Sequence, residues 1–190
     1  QMQPDTVIAN GEVVVENNQL IAEYTPAVYP DSVKQTVNLE KDLMVSDFLL
    51  KTEKNDSVEI NGIRVIENSA RTEKMIAKLP VVNGVITADL EQDIIYLACI
   101  DRHHQSGDIS LGFVQGFSLE RGAVASTVAH DSHNLLVMGT NPEDMAFAAN
   151  ELAKTGGGMI AVNDGQVLAH VSMPIAGIMS DQPLETVVEQ

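Results

Sequence analysis

The sequence predicts an α+β domain: mostly short β-strands in mixed sheets, with one well-formed helix over about 142–154, preceded by a small β-meander. Short apolar runs recur between turn-forming dipeptides such as Asn10-Gly11 and Asn83-Gly84. A continuous apolar run spans residues 94–100, and only 142–154 carries apolar residues at helical spacing. Many short strands combined with one clear helix are typical of this class.

The β-meander is predicted over residues 4–24. Its three apolar runs are separated by Asn10-Gly11 and Asn17-Asn18, which favour tight turns. Strands this short expose too much edge to be stable alone, so we expect them to pack on something else. A linker is predicted at 25–31, where two prolines occur.

Residues 33–100 are mostly strands by the same criteria. Asn61-Gly62 predicts a turn within the stretch 58–67, and Asn83-Gly84 predicts another between 74–82 and 85–88. The run 94–100 predicts a buried central strand, because it is apolar throughout. Its Cys99 is therefore expected to be a buried thiol.

The helix over 142–154 has signals at both ends. Asn141 can cap it, Pro142 suits its first turn, and Gly156 supplies the stop. Further strands are predicted at 123–128, 135–138, 159–162 and 166–171, and a short helix from about 182 to 188.

Composition excludes several classes of partner. Eleven Lys and Arg against 27 Asp and Glu give a net charge of −16. No basic stripe is present to neutralise phosphates, so we expect neither nucleic acid nor an anionic membrane as a partner. No membrane span or export signal is recognisable, and the single Cys99 fits a reducing cytoplasm, which is the localisation we expect.

The densest polar cluster is His130-Asp131-Ser132-His133-Asn134, between two apolar runs. Such a connection between rigid strands is a common place for ligand contacts. The alternatives are a structural turn in which Asp131 and Asn134 bond local backbone, and a metal site. Because neither His-x-His nor His-Glu-x-x-His occurs, we expect no metal centre within this chain.

A second polar cluster, 101–108, follows the apolar run and offers Asp101, Arg102 and His103 as secondary site candidates. The alternative is a solvated loop with a local Asp101–Arg102 ion pair, which contributes little at a surface. The glycine run 156–158 lacks a Walker lysine and the GxGxxG spacing, so it predicts a helix stop rather than a phosphate-binding loop.

Several motifs occur in a fixed order in the second half of the chain. They are Asp101-Arg102-His103, Gly107, LGFVQGF at 111–117, RGAVASTVAHDSHN at 121–134, GTN at 139–141, GGGM at 156–159 and MPIAGIMS at 173–180. This ordered set resembles the C-terminal domain of bacterial adenine deaminases, although that family commonly has Leu-Pro at Met173-Pro174. Residues 33–100 resemble that domain more loosely, and the domain is expected to span residues 33–190. Residues 1–25 resemble the trailing strands of the small β-domain of the amidohydrolase superfamily.

The resemblance implies one portion of a larger enzyme. Such deaminases convert adenine and water to hypoxanthine and ammonia, with a divalent metal, manganese or iron, bound in a barrel domain that lies outside this chain. The implied partners are adenine, that barrel domain and further copies in a homo-oligomer. The polar cluster 130–134 would lie on the active-site side, with no individual catalytic role assigned. This chain alone is expected to be inactive.

The alternative is a non-catalytic binding or subunit-assembly module of the same fold. The reading frame upstream of Gln1 distinguishes the two: an adjoining barrel with metal ligands favours the enzyme. A start codon near Met2 with no barrel nearby favours the module. The meander at 4–24 supports the enzyme, because it makes little sense as a free-standing start.

Overall fold

The computed structural model describes residues 4–23 and 27–190. Within them the chain forms two sheets and two α-helices, which confirms the α+β class. The small sheet contains β1 (Thr6–Ala9), β2 (Glu12–Glu16) and β3 (Gln19–Leu20). The large sheet contains β4 (Ser57–Val65), β5 (Thr72–Val82), β6 (Val85–Ile86), β7 (Ile94–Ile100), β8 (Ile109–Gln115), β9 (Ala123–Ser126), β10 (Leu135–Gly139), β11 (Gly158–Asn163) and β12 (Gln166–Ser172). The helices are α1 (Pro142–Lys154) and α2 (Leu184–Glu189).

The large sheet has the strand order β12-β11-β9-β10-β7-β8-β4-β5-β6. Strands β4 and β8 pair in parallel, whereas the other neighbouring pairs are antiparallel. Strand β7 lies in the middle of this order, as its apolar sequence predicts. Side chains alternate between the two faces of a strand, and Ile94, Tyr96, Ala98 and Ile100 face the main core.

Helix α1 covers one face of the sheet, across β9, β10 and β11. It has the bounds predicted from its sequence, and its apolar stripe, including Met145 and Leu152, is fully buried. Burying a side chain such as Leu152 contributes about 1.5–3 kcal/mol. The segment before β4 packs beside the helix, where the Asn150 amide exchanges hydrogen bonds of 2.9 and 2.8 Å with the backbone of Leu43.

The start of α1 is held by two side chains. The Asn141 side-chain oxygen accepts a hydrogen bond from the backbone N–H of Asp144 at 2.8 Å. The buried Asp144 carboxylate accepts from the backbone N–H groups of Gly165 and Asp164, at 2.9 and 3.2 Å, and from the Asn141 amide. Burial raises the pKa of Asp144, but these hydrogen bonds outweigh it, so the pKa lies below the ordinary value of 3.8.

We expect Asp144→Asn to lower the free energy of unfolding by about 1–3 kcal/mol at pH 7, because the N–H groups of Asp164 and Gly165 lose a charged acceptor. Since folding depresses the pKa of Asp144, this stabilisation is present above about pH 4 and is lost as pH falls through the folded-state pKa. Urea unfolding at pH 7 and at pH 3 should therefore show a smaller difference between wild type and variant at pH 3. The exposed Asp56→Asn serves as the control; a difference unaffected by pH would contradict the assignment.

The turn predicted at Asn61-Gly62 is wrong. Both residues lie inside β4, which pairs with β5 without interruption. A Cβ at position 62 would clash with the Met75 side chain and lie 3.0 Å from the carbonyl oxygen of Phe113. This glycine therefore marks close packing within a strand rather than a turn.

Other strand predictions agree more closely with the structure. The turn at Asn83-Gly84 is confirmed, with φ of 52° and 77°. The hairpin of β11 and β12 is also confirmed, and β9 ends at Ser126, earlier than predicted. Strand β8 was not predicted, although Ile109, Leu111 and Phe113 alternate with smaller or polar residues as in a half-buried strand.

Cys99 is only partly buried, contrary to expectation. It follows Ala98 in the strand, so its side chain points away from the face that packs on α1. An apolar run can occupy a central strand and still present alternate residues to an uncovered face.

The predicted meander forms the small sheet. Strands β1 and β2 pair in antiparallel fashion across Asn10-Gly11, and β3 ends at Leu20, before the predicted end of the third strand. Tyr24, and Thr25 and Pro26 of the predicted linker, lie outside the described residues. The assignment of 1–25 to an amidohydrolase β-domain, and of 33–190 to a second domain, stays a prediction.

The C-terminal helix is confirmed close to its predicted position, and none of its residues is buried. Within residues 4–23 and 27–190, no helix has the length and apolar character needed to cross a membrane.

Candidate functional site

The two polar clusters predicted from the sequence meet at one end of the large sheet. Strands β7 and β10 are antiparallel neighbours, and Ile100 is the register partner of Leu135. The loop that follows β7 and the loop that precedes β10 therefore leave the sheet side by side. The His103 ring nitrogen Nε2 lies 3.0 Å from the carbonyl oxygen of Ser132, which joins the two loops directly.

Between these loops lies a cleft of about 580 Å³. Most of its lining residues carry polar or charged side chains, although their apolar atoms contribute about as much of its surface as their polar atoms. It comprises Cys99, Asp101, His103, His104, Ser106, Asp108, Ser110, Ser132 and Asn134. A concave site with converging hydrogen-bonding groups is the usual form of a small-molecule or loop-docking site.

The Asp101 carboxylate is committed to its own loop. It accepts hydrogen bonds from the backbone N–H groups of His103 and His104, at 3.1 and 3.2 Å, and from the Ser106 hydroxyl at 2.8 Å. These bonds, led by that from His103, hold the pKa of Asp101 well below its usual range. Asp101 is therefore an ionised group that shapes the turn, not a base available for proton transfer.

Arg102 does not form the local ion pair with Asp101 that was the alternative prediction for this loop. Its side chain is 1% exposed and points into the domain. The guanidinium donates to the carbonyl oxygens of His133, Thr36 and Ala176, and to the Thr36 hydroxyl. Burial lowers the pKa of Arg102, yet arginine stays charged in proteins. The buried guanidinium thus joins the segments around Thr36, His133 and Ala176, and it fixes the polar loop at His133.

The loop 129–134 presents its first two polar side chains to solvent. His130 and Asp131 have side chains 94% and 91% exposed, with Nδ1 and Oδ1 2.9 Å apart. Asp131 and His133 adopt left-handed backbone conformations, with φ of 71° and 49°. Non-glycine residues rarely hold such conformations unless their surroundings enforce them, which is frequent at functional sites. Here the contacts from Arg102 and His103 to the loop carbonyls provide that support.

His133 differs from its two exposed neighbours. Its ring is partly buried, and within the described residues Nδ1 is the buried side-chain nitrogen or oxygen that lacks a hydrogen-bond partner. Buried polar atoms are normally paired, because leaving one unpaired is costly. His133 therefore has unused hydrogen-bonding capacity in the same loop as the exposed His130 and Asp131.

The described ranges contain no group of three or more His, Cys, Asp or Glu side chains arranged to hold a metal ion. His130 and His133 lie on the same loop, but no third ligand accompanies them. These residues do not fit a resident metal centre built by this part of the chain alone.

The glycine run 156–158 acts as more than the predicted helix stop. Gly156 and Gly157 donate to carbonyls of the last turn of α1, both at 3.2 Å. Gly158 then begins β11 and donates to the fully buried Thr127 hydroxyl at 2.8 Å. That hydroxyl donates in turn to the carbonyl of Gly177. Sequence reasoning did not single out Thr127 or Gly177, because their roles arise only when distant segments meet.

His170 is a partly buried histidine on β12 that is paired with a neighbouring hydroxyl. Its Nε2 lies 3.2 Å from the Thr155 hydroxyl, and burial lowers the pKa of its ring. It lies apart from the polar loops and contributes nothing to the cleft.

Comparison with known proteins identifies the family. The family model described as adenine deaminase C-terminal domain matches residues 69–190. The chain belongs to this family. Similar proteins are the adenine deaminase of Moorella thermoacetica (46% identity over 184 residues), adenine deaminase 3 of Rhizobium meliloti (42% over 187) and the adenine deaminase of Staphylothermus marinus (39% over 190). These matches cover 96%, 98% and 100% of this chain, but only 31% of the length of each relative.

In this adenine deaminase C-terminal domain, motifs that are far apart in sequence converge on the polar loop. Arg102, from the first motif, donates to His133 in the polar cluster and to Ala176 in the last motif. Thr127 links the glycine run to the same last motif. Residues of four of the motifs that carry the resemblance are therefore joined by hydrogen bonds next to the polar loop.

Proposed function

We propose that this chain is the C-terminal portion of a metal-dependent adenine deaminase, and that its polar loop completes or closes the active site. The overall reaction would be adenine plus water giving hypoxanthine plus ammonia. The divalent metal, manganese or iron, would be held in a barrel domain outside this chain, where it would supply an activated water. A cytoplasmic location and homo-oligomer formation belong to the same proposal.

The observation that supports this proposal is the outward presentation of the loop 129–134. His130 and Asp131 are more than nine-tenths exposed, although Arg102, which is buried, and His103 contact the backbone carbonyls of His133 and Ser132 in the same loop. A rigid support beneath exposed, chemically versatile side chains is the arrangement that a binding site requires. Because this part of the chain does not assemble a metal centre, the loop would act on a ligand held mainly by another domain.

The proposal is tested in the full-length enzyme with Asp131→Ala and His133→Ala. We expect each to reduce kcat/KM for adenine by about tenfold or more, since losing one positioned polar group in a closed site costs roughly 10²–10³-fold in well-studied cases. Asp131 is the sharper probe, because its exposed side chain can be removed without disturbing the core.

Asp164→Ala is the matched control. Asp164 is also exposed and has a similar backbone, with φ of 50°, but it lies in the turn after β11, at the opposite end of the sheet. We expect unchanged turnover in this variant. If Asp131→Ala and His133→Ala retain full turnover and alter only the melting temperature, the loop has a structural role and the site proposal fails.

A separate prediction concerns the 190-residue chain by itself. It is expected to fold but not to convert adenine to hypoxanthine, even with excess manganese, because its described residues do not assemble a metal site. Chromatographic detection of hypoxanthine after incubation of the pure chain with adenine measures this directly. The full-length enzyme under the same conditions is the positive control. Product formation by the chain alone would contradict the proposal that the metal is bound in a domain outside this chain.

A further inference from the structure

The large sheet has a second face that α1 does not cover. On β7, β10, β9, β11 and β12, side chains that alternate with the core positions share this side, because register partners point to the same face. We call this surface the open face. It comprises Leu97, Cys99, Val124, Ser126, Leu136, Met138, Met159, Ala161, Ala169 and Val171. Ile95 lies on the same side of β7 but is fully buried, so the open face begins beyond it.

The open face has no charged side chain, although the chain carries 27 acidic and 11 basic residues. It forms a shallow apolar groove of about 340 Å³ between Met138, Met159 and Val171. An antiparallel sheet with one solvated face normally alternates apolar and polar residues. Here both faces are apolar, which is the pattern of a sheet buried on both sides.

The other half of the same sheet provides an internal comparison. On β4 and β5 the side chains that face the same way include Glu59, Asn61, Lys74 and Lys78, all exposed. Ile63 and Ile76 lie on the same side and are also exposed, so this half presents a mixture of charged, polar and apolar side chains to solvent. The apolar character of the open face is therefore a local property and not a feature of the whole sheet.

We propose that the open face docks the metal-bearing domain of the longer protein, an inference that rests on the proposed function. The relatives carry 69% of their length outside the matched region, ample for a domain of the required size. The open face is also continuous with the cleft, because Cys99 belongs to both. A domain seated on it would extend directly to the exposed His130 and Asp131.

A second copy of the same chain is a less favourable partner for the open face than the metal-bearing domain. Packing the open face on itself would bring together two chains that each carry a net charge of −16, and self-repulsion of this kind opposes association. It would also leave the polar loops without a metal-bearing partner. The experiment below treats this arrangement as a distinct outcome.

The test is oxidation of methionine side chains, quantified by peptide mass spectrometry in the full-length enzyme and in the 190-residue chain. Met159 on the open face is 45% exposed, and Met44, outside that face, is 56% exposed. Since exposure governs methionine oxidation, we expect Met159 to oxidise about fivefold more slowly in the full-length enzyme, while Met44 oxidises equally in both.

Equal oxidation of Met159 in the two proteins would overturn the proposal. So would protection of Met159 in the isolated chain that increases with concentration together with a dimer in sedimentation analysis, since this would identify a second copy. Adenine turnover is measured on the same full-length sample. An active enzyme with an accessible Met159 refutes only the docking surface, whereas a protected Met159 without deamination refutes only the function.

Met159→Glu and Met44→Glu make the same change at two exposed methionines. In the full-length enzyme we expect Met159→Glu to increase oxidation of Met138 severalfold, because a buried carboxylate would separate the docked surfaces. Met44→Glu should leave it unchanged. Equal oxidation of Met138 in both variants would count against docking. If the Met159 variant does not fold, the comparison of Met159 oxidation in the two wild-type proteins decides the question.

Discussion

Replacing Arg102 with methionine is expected to lower the free energy of unfolding of the 190-residue chain by about 3–5 kcal/mol. Methionine fills much of the same volume but donates no hydrogen bond. The partly buried carbonyl groups of Thr36, His133 and Ala176 would lose their common donor, and an acceptor left unpaired by burial costs about 1–3 kcal/mol. Urea unfolding followed by circular dichroism measures the loss.

Two companion variants separate charge from geometry. Arg102→Lys keeps the positive charge but not the planar set of five donors, so we expect it to recover only part of the lost stability. Arg71→Met makes the original substitution at an exposed position and should change stability by less than about 0.5 kcal/mol. If Arg102→Met is as mild as Arg71→Met, the guanidinium does not hold the junction together.

The parts of the fold that were predictable depend on signals close together in sequence. Helix α1 has the predicted bounds, because Asn141, Pro142 and the glycine run act on residues within one or two turns. The hairpin turn at Asn83-Gly84 is local in the same sense. The Asn61-Gly62 prediction failed because the same dipeptide type meets Met75 from a neighbouring strand, and that contact is absent from any short window.

The candidate site could be predicted only in pieces. Both polar clusters are visible as runs of hydrogen-bonding residues, but their meeting depends on the pairing of β7 with β10. Arg102 resembles a surface residue in its own loop, whereas its acceptors are 31, 66 and 74 positions away. Hydrogen bonds between residues this far apart produce no periodic pattern in the sequence. The burial of the arginine can therefore be recognised only in the folded structure.

The second large effect is expected for Gly157→Ala. Gly157 has φ of +116°, a conformation that residues with a Cβ strongly avoid, and an added Cβ would lie 2.6 Å from the Gly177 Cα and 2.7 Å from the Thr127 hydroxyl. Strain and overpacking each cost about 1–3 kcal/mol, so we expect a loss of roughly 2–6 kcal/mol in the free energy of unfolding. Urea titration of the 190-residue chain measures it.

Gly165→Ala is the matched control, because Gly165 also has a positive φ of +67° but nothing lies within 4 Å of an added Cβ. Its expected loss of about 1–2 kcal/mol reflects the left-handed backbone alone. Equal losses in both variants would show that the contact with Gly177 relaxes freely. Because Gly177 follows Ala176, an acceptor for Arg102, displacement by Gly157→Ala should weaken the arginine junction too. The double variant with Arg102→Met should therefore lose less stability than the two single losses combined, the non-additivity expected of residues in one network.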